Sequence, residues 1–239
     1  MSGHSKWETT KRQKAAVDAK RGAIFTKLGN MIAIAARGGT DPAMNPSLAM
    51  AVEKAKQANM PAANIQRAID RVADKNAAVL EEIVYEAYGP GGIGIIIETA
   101  TDNRNRTFPE VRSTLTKNGG TVADQGSVAF QFDHKGVIHV DATGDDNLML
   151  VLDAGAEDAT EDDGEIIAYT DMKDLHRVRQ AIADAGLKIG DAGLEYVAKA
   201  PVEVGDAEVS AKVMKLLNAL DDLDDVTNVH TNADITADI

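Results

Sequence analysis

The chain has 239 residues, a formal net charge of -13, 44% hydrophobic and 26% charged residues, and no cysteine. This length predicts two or three domains with separate cores, and the composition is ordinary for a folded globular protein. Without cysteine there are no disulfides, thiolate metal sites or cysteine nucleophiles. No apolar run approaches the roughly 20 residues that span a bilayer, and the N-terminus lacks the apolar core of a secretory signal. We therefore expect a cytoplasmic protein without a membrane partner.

The charge is divided unevenly along the chain. Residues 1–79 hold 13 Lys and Arg against 6 Asp and Glu, a net +7, whereas residues 80–239 hold 12 against 32, a net -20. The residue pattern changes at the same place, from Ala-rich segments with helical spacing to runs such as IGIIIE that favour strands. We therefore predict a basic helical N-terminal domain over residues 1–79, followed by an acidic part that contains β-sheet.

Three short helices are predicted in the N-terminal part. Apolar residues recur at helical spacing from residue 22 to 37, and a Gly-Gly pair ends that helix. Asn45 and Pro46 are typical of an N-cap and a first helical turn, and Pro61 opens a third helix. The inner face of this third helix is predicted to contain Ile65, Ala68, Ile69 and Val72. Small inner residues would allow the three helices to pack closely as a bundle.

A hairpin, a helix and a further strand are predicted between residues 82 and 133. Two strand-like runs flank the turn-favouring segment Tyr88–Gly92. The helix is expected from about Asn105 to Asn118, because a Gly-Gly pair follows it. The next residues predict a half-buried strand with alternating apolar side chains, namely Val128, Phe130 and Phe132.

An internal repeat follows in residues 134–199. Each half has a strand, a helix, a glycine stop and a second strand, the two halves starting near Gly136 and Glu165. Two such halves in succession give βαββαβ, the ferredoxin-like arrangement. Residues 200–239 supply only half a unit, so we expect them to complete the domain that begins at 80–133, with 134–199 inserted between its two parts.

The segment from Gly3 to Leu28 is the strongest functional signal. Its basic residues are Lys6, Lys11, Arg12, Lys14, Lys20, Arg21 and Lys27, and the only tryptophan of the chain, Trp7, lies among them. Clustered positive charge with an aromatic ring is typical of a segment that binds phosphate and stacks on bases. The alternative is a solubilising basic tail. We favour binding, since an exposed tryptophan is costly without a partner.

A second candidate is the segment Thr101–Thr107, which contains Arg104 and Arg106 within the acidic part. One interpretation is a helix N-cap at Asn105 or a neighbour, in a solvated loop. The other is that the two arginines contact phosphate or bases. The sequence favours neither.

Other motifs favour structure over chemistry. Gly89–Gly94 matches GxGxxG, but a strand-like run follows where a dinucleotide site needs a helix, so a hairpin turn is favoured and an exposed tip that touches a partner stays open. The acidic runs 161–163 and 221–225 are interpreted as solvated surface. The five histidines have no metal-ligand spacing. We therefore expect no catalytic residues, no metal and no cofactor.

Several long motifs resemble the YebC/PmpR family, which includes mitochondrial translational activators. They are GHSKW at 3–7, KAAxDAKRGxIFTKL at 14–28, DPAxNPxL at 41–48, YGPGGxGxIIE at 88–98, TDNRNRT at 101–107 and DDLDDVxNVHTN at 221–232. The resemblance implies an α+β protein with an N-terminal helical bundle and two ferredoxin-like domains, one inserted into the other. The corresponding boundaries are 1–79, 80–133 with 200–239, and 134–199.

The resemblance also implies a function. Bacterial members of the family are regarded as DNA-binding transcriptional regulators, and relatives are described as ribosome-associated factors that assist translation of consecutive prolines. The family's basic motif falls on Lys6, Trp7, Lys11, Arg12, Lys14, Lys20 and Arg21. The hypothesis is a non-enzymatic nucleic-acid-binding regulator of gene expression without a small-molecule substrate. Promoter DNA and ribosomal RNA both stay open as its target, and an enzyme is the third alternative.

Overall fold

A computed structural model of the chain describes residues 21–74 and 77–237. In the first part the elements are α1 (Arg21–Ala35), α2 (Pro46–Gln57), α3 (Ala62–Asp70), β1 (Glu81–Tyr88), β2 (Gly94–Thr101), α4 (Arg104–Lys117) and β3 (Thr121–Ala123). They continue with β4 (Phe132–Val140), α5 (Asp145–Asp153), β5 (Asp158–Asp162), β6 (Glu165–Thr170), α6 (Leu175–Asp184), β7 (Ile189–Ala198), β8 (Val202–Val204), α7 (Ala207–Asp221), β9 (Val226–Thr231) and β10 (Ala233–Ile235). The fold class is α+β, as predicted. Residues 132–199 form one compact unit, and the described residues on either side of it form the other.

The three N-terminal helices form around the residues that the sequence indicated. Ile32 and Leu48 are fully buried in their common core. Asn45 caps α2, because its side-chain oxygen accepts a hydrogen bond from the backbone N–H of Leu48 at 3.2 Å. The amide of Asn45 also donates to the Ala35 carbonyl at 2.7 Å, which ties the start of α2 to the end of α1. The predicted cap and the three helices are confirmed.

The predicted inner position of Val72 is wrong. Its side chain is exposed, whereas Ile65 and Ile69 are buried. The α-helix ends at Asp70, and residues 71–73 form a 3-10 turn. The tighter winding of that turn moves position 72 off the buried face that the 3.6-residue period would have continued.

The first sheet has the strand order β3-β1-β2-β9, and every neighbouring pair is antiparallel. The predicted hairpin is confirmed, with a register that runs from Glu81 opposite Thr101 to Tyr88 opposite Gly94. At its tip, Gly91 has a φ of 78°, which a residue with a side chain rarely adopts. The glycine-rich segment therefore closes a hairpin and opens no helix.

One face of this sheet forms a core with α4 and α7. Ile95 and Ile97 from β2 pack with Leu115 from α4 and with Leu216 and Leu217 from α7, and all five are fully buried. Strand β9 completes the sheet beside β2, while β8 pairs in parallel with β10 in a separate two-stranded sheet. Every member of this core lies outside residues 132–199.

The predicted strand through Val128 and Phe130 is wrong. Residues 129–131 form a 3-10 turn, and the side chain of Phe130 is 66% exposed. The cause is Glu86 on β1. Its carboxylate accepts hydrogen bonds from the backbone N–H groups of Gly126, Val128 and Ala129 at 2.5, 2.6 and 2.8 Å. Backbone donors that are bound to a carboxylate cannot enter a strand ladder, so regular pairing begins only at Phe132.

Glu86 is a buried acid that the surrounding backbone keeps ionised. Burial by itself raises its pKa, but the three N–H donors outweigh burial, and the pKa of Glu86 lies below its ordinary value. The carboxylate therefore holds the 126–129 segment against the sheet through a charge-assisted contact.

The unit formed by residues 132–199 has the predicted βαββαβ order. Its strand order is β5-β6-β4-β7, with every neighbouring pair antiparallel, which is the ferredoxin-like arrangement. Helices α5 and α6 bury Val151, Val178 and Ile182. Gly136 is required on β4, because a Cβ there would lie 2.9 Å from the Cβ of Leu175.

Removal of residues 132–199 should leave a folded remainder. The core of the first sheet uses no residue of this segment. Gln131 and Val202 both contact Asn232, at 2.7 Å in each case, so a short flexible linker can join Gln131 to Ala200. We expect a soluble protein with a cooperative thermal transition by circular dichroism. An insoluble product, or one that melts without a transition, would contradict the proposed insertion.

The substitution Glu86→Gln should lower the free energy of unfolding by about 1–3 kcal/mol, because an amide cannot accept three backbone hydrogen bonds. The exposed neighbour Glu82→Gln is the matched control and should have little effect. Since the pKa of Glu86 is lower in the folded state, its contribution is present above the unfolded value of about 4.3 and is lost as the pH falls through the folded value. Urea titrations below pH 5 should show this acid sensitivity in the wild type and less of it in Glu86→Gln.

Candidate nucleic-acid interface

Most of the predicted basic segment lies outside the described residues. This holds for Lys6, Trp7, Lys11, Arg12, Lys14 and Lys20. Arg21 is the first residue of α1, and its side chain is likewise outside what the structure describes. The binding role of these seven residues stays a prediction.

Lys27 makes a contact within the fold. Its ammonium group donates a hydrogen bond to the backbone carbonyl of Asp221 and lies 3.6 Å from the carboxylate of the same residue. The side chain of Lys27 is only 13% exposed. The contact joins α1 to the end of α7, so Lys27 has a structural role whether or not it also binds nucleic acid.

The segment Thr101–Thr107 forms the start of α4. Asn103 is the N-cap, and its side-chain oxygen accepts hydrogen bonds from the backbone N–H groups of Asn105 and Arg106 at 3.1 and 3.2 Å. The N-cap that the sequence predicted at Asn105 or a neighbour is therefore Asn103.

Arg106 points to a buried carboxylate. Its Nη2 lies 2.9 Å from both carboxylate oxygens of Asp225, and its Nε lies 3.2 Å from Oδ2. A second ion pair joins Arg106 to Asp102 at 3.1 Å. The hydrogen bonds to Asp225 raise the pKa of Arg106 above its already high ordinary value, so the guanidinium is permanently charged. Nε and Nη2 of Arg106 are thus bound to carboxylates of the protein, although its side chain is 46% exposed.

Asp225 also binds two threonines. Its Oδ2 accepts hydrogen bonds from the hydroxyls of Thr107 at 2.6 Å and Thr101 at 3.2 Å, and Asp225 is only 8% exposed. The interpretation of run 221–225 as solvated surface is therefore wrong for Asp225. The pattern of the run could not show this, because the partners of the carboxylate lie more than 115 positions earlier in the chain.

Arg104 is more accessible than Arg106. Its side chain is 66% exposed and pairs with the half-exposed Glu81 on β1. An ion pair between two solvated side chains contributes little to stability, so a phosphate could compete for this guanidinium.

The exposed face of α4 contains two residues that the sequence analysis missed. Phe108 is 39% exposed, and its ring centroid lies 5.7 Å from that of Tyr85 on β1, with an angle of 40° between the planes. Arg112 is exposed, and among the described residues it has no ion-pair partner. A row with four-residue spacing, Arg104, Phe108 and Arg112, was present in the helix pattern and could have indicated this face.

In the ranges 21–74 and 77–237, no three His, Asp or Glu side chains converge in a way that could hold a metal ion. No helix of those ranges has both the length and the apolar character needed to cross a membrane.

Asp225→Ala should lower the free energy of unfolding by about 2–3 kcal/mol, because it removes the buried carboxylate that accepts hydrogen bonds from Arg106, Thr101 and Thr107. Asp224→Ala, at the exposed neighbouring position, should change it by less than about 0.5 kcal/mol. Chemical denaturation of both variants measures the difference. Equal effects of the two substitutions would show that the buried contacts of Asp225 do not stabilise the start of α4.

Comparison with known proteins places the whole chain in one family. Residues 5–75 match the TACO1/YebC protein N-terminal domain, and residues 80–233 match the TACO1/YebC second and third domain. A Frankia casuarinae protein named "Probable transcriptional regulatory protein" is 48% identical over all of this chain and 98% of its own length. A Roseiflexus castenholzii protein with the same descriptive name is 46% identical over all of this chain and 97% of its own.

A solved structure agrees with the fold. The crystal structure of a conserved hypothetical protein from Aquifex aeolicus is 40% identical and superposes with a TM-score of 0.87, over 94% of this chain and 95% of that one. Together the two family models span the helical part and the sheets that follow it, and the relatives match over the full length of the chain. The chain belongs to the TACO1/YebC family.

Proposed function

We propose that this protein is a nucleic-acid-binding regulator of gene expression that acts without catalysis. The observation that carries the proposal is the separation of charge: a net +7 over residues 1–79 on a chain whose remaining residues sum to -20. The basic part would attract a polyphosphate most strongly, so we assign the main contact to the N-terminal segment with Trp7.

The names of the relatives support the regulatory part of the proposal. Proteins of nearly the same length and 46–48% identity carry the name "Probable transcriptional regulatory protein". Those names favour duplex DNA as the target. Ribosomal RNA is the second candidate, because a basic arm can bind an irregular RNA surface without a groove-reading element, and because α4 presents an exposed aromatic ring between two arginines.

The test is the salt dependence of binding. Replacing Lys11, Arg12 and Lys14 together with Gln should flatten the slope of log K against log salt by about two to three, since each lost phosphate contact removes roughly 0.7–0.9. Binding is measured on duplex DNA, single-stranded RNA and purified ribosomes, and the target with the highest affinity at physiological salt identifies the class of partner.

A charge-matched control is available in residues 132–199. Lys173, Arg177 and Lys188 have highly exposed side chains, and their replacement with Gln removes the same formal charge. This control should leave the slope nearly unchanged. If both triple variants behave as the wild type on all three targets, the basic segment is a solubilising tail and the proposal is wrong.

A further inference from the structure

Helix α4 is positively charged, whereas the region around it in the sequence is acidic. The helix contains Arg104, Arg106, Arg112 and Lys117 against the single acid Glu110, whereas the rest of residues 80–239 holds 8 Lys and Arg against 31 Asp and Glu. A positive strip in so acidic a surrounding is the part of this region that a phosphate backbone could approach.

The strip has an aromatic centre. Arg104, Phe108 and Arg112 are four residues apart, so they lie on one row of the helix surface, with the two arginine Cα atoms about 12 Å apart at 1.5 Å per residue. Phe108 keeps 39% of its surface in solvent although apolar cores are available on the other side of the helix. The row therefore places an exposed ring between two guanidinium groups.

Tyr85 supports the ring of Phe108. The two centroids are 5.7 Å apart with a tilt of 40°, and this distance lies within the roughly 4.5–7 Å range of interacting aromatic pairs. Burial raises the pKa of the Tyr85 phenol, and Asp225 adds to the increase against an opposing effect of Arg104, so the supporting ring is neutral at physiological pH. The ring of Phe108 therefore packs against an uncharged tyrosine while part of it stays exposed to solvent.

The positive groups of the row are available. Arg112 has no ion-pair partner in the described part of the chain, and Arg104 has only the solvated pair with Glu81. Arg106 is different, because its Nε and Nη2 donate to the carboxylates of Asp225 and Asp102. Arg106 is therefore a positioning residue that holds the first turn of α4.

We propose that Arg104, Phe108 and Arg112 form a binding site for single-stranded RNA, in which an unpaired base stacks on Phe108 and the two arginines contact the flanking phosphates. A paired base cannot reach an exposed ring, so the site selects a single strand. RNA is favoured over DNA because the Asn105 amide, three residues before Phe108 and exposed, can both donate to and accept from a 2′-hydroxyl. The inference rests on the proposed nucleic-acid binding and adds a second contact to that of the N-terminal segment.

The experiment measures binding of the full-length protein to a fluorescein-labelled 12-nucleotide RNA without self-complementarity. Phe108→Ala should weaken binding about tenfold or more, from the loss of base stacking, and leave the salt slope unchanged. Arg112→Gln should reduce the slope by roughly 0.7, and Arg112→Lys should retain it. Lys215→Gln, at an exposed position on α7, is the charge-matched control and should have no effect on the slope.

One further variant and two further probes test the assignment. Phe108→Leu keeps apolar packing against Tyr85 but has no ring, so the loss should persist in it. Full recovery with Leu would overturn base stacking. The same RNA annealed to its complement should be insensitive to Phe108→Ala, and an equal loss on the duplex would also overturn it. A DNA strand of the same sequence should bind more weakly, and equal affinity would overturn the assignment to RNA.

The two proposals fail in distinguishable ways. If the Lys11, Arg12 and Lys14 variant loses RNA binding while the Phe108 and Arg112 variants match the wild type, the regulator proposal stands and the α4 site is wrong. If the wild type binds neither RNA nor DNA at low salt, both are wrong. Thermal unfolding by circular dichroism confirms that each variant is folded.

Discussion

A single buried carboxylate, that of Asp225, connects the parts of the structure that carry the candidate site. It receives Arg106 from the first turn of α4 and the hydroxyl of Thr101 from the end of β2, and its backbone carbonyl accepts the N–H of Ala100 at 2.8 Å. Asp225 itself is the residue directly before β9. A buried charge must be paired, so once Asp225 is inside, the start of α4 has one allowed position.

The same principle recurs at the other end of the sheet. Glu86 binds three backbone N–H groups, and the buried Asn232 accepts from the N–H of Gly94 while its amide donates to Gln131, both at 2.7 Å. These side chains satisfy backbone and loop groups where strand pairing ends. Most of the motifs at 101–107 and 221–232 thus serves the architecture, whereas Arg104 and Asn105 within the first motif face solvent and are left for a partner, together with Phe108 and Arg112 on α4.

The organisation of charge links architecture to function. Lys27 and Arg106 are bound to aspartates of the same protein, whereas Arg104 and Arg112 lie on either side of Phe108 and, among the described residues, have no ion-pair partner or only the solvated Glu81. A count of basic residues cannot separate these two groups, because both contribute equally to net charge. The distinction depends on which carboxylate each guanidinium or ammonium group meets after folding.

The sequence by itself determined the elements whose signals are local: the Asn45 cap, the hairpin around Gly91, the helix that ends before a Gly-Gly pair, and the βαββαβ repeat. These depend on propensity, spacing and turn chemistry within a few residues. The tertiary structure alone decided that Asp225 is buried, that Glu86 withdraws residues 126–129 from strand pairing, and that Phe108 stays exposed. Each of these outcomes depends on a contact between residues that are far apart in the sequence. Local patterns of hydrophobic and polar residues do not determine which distant groups come into contact.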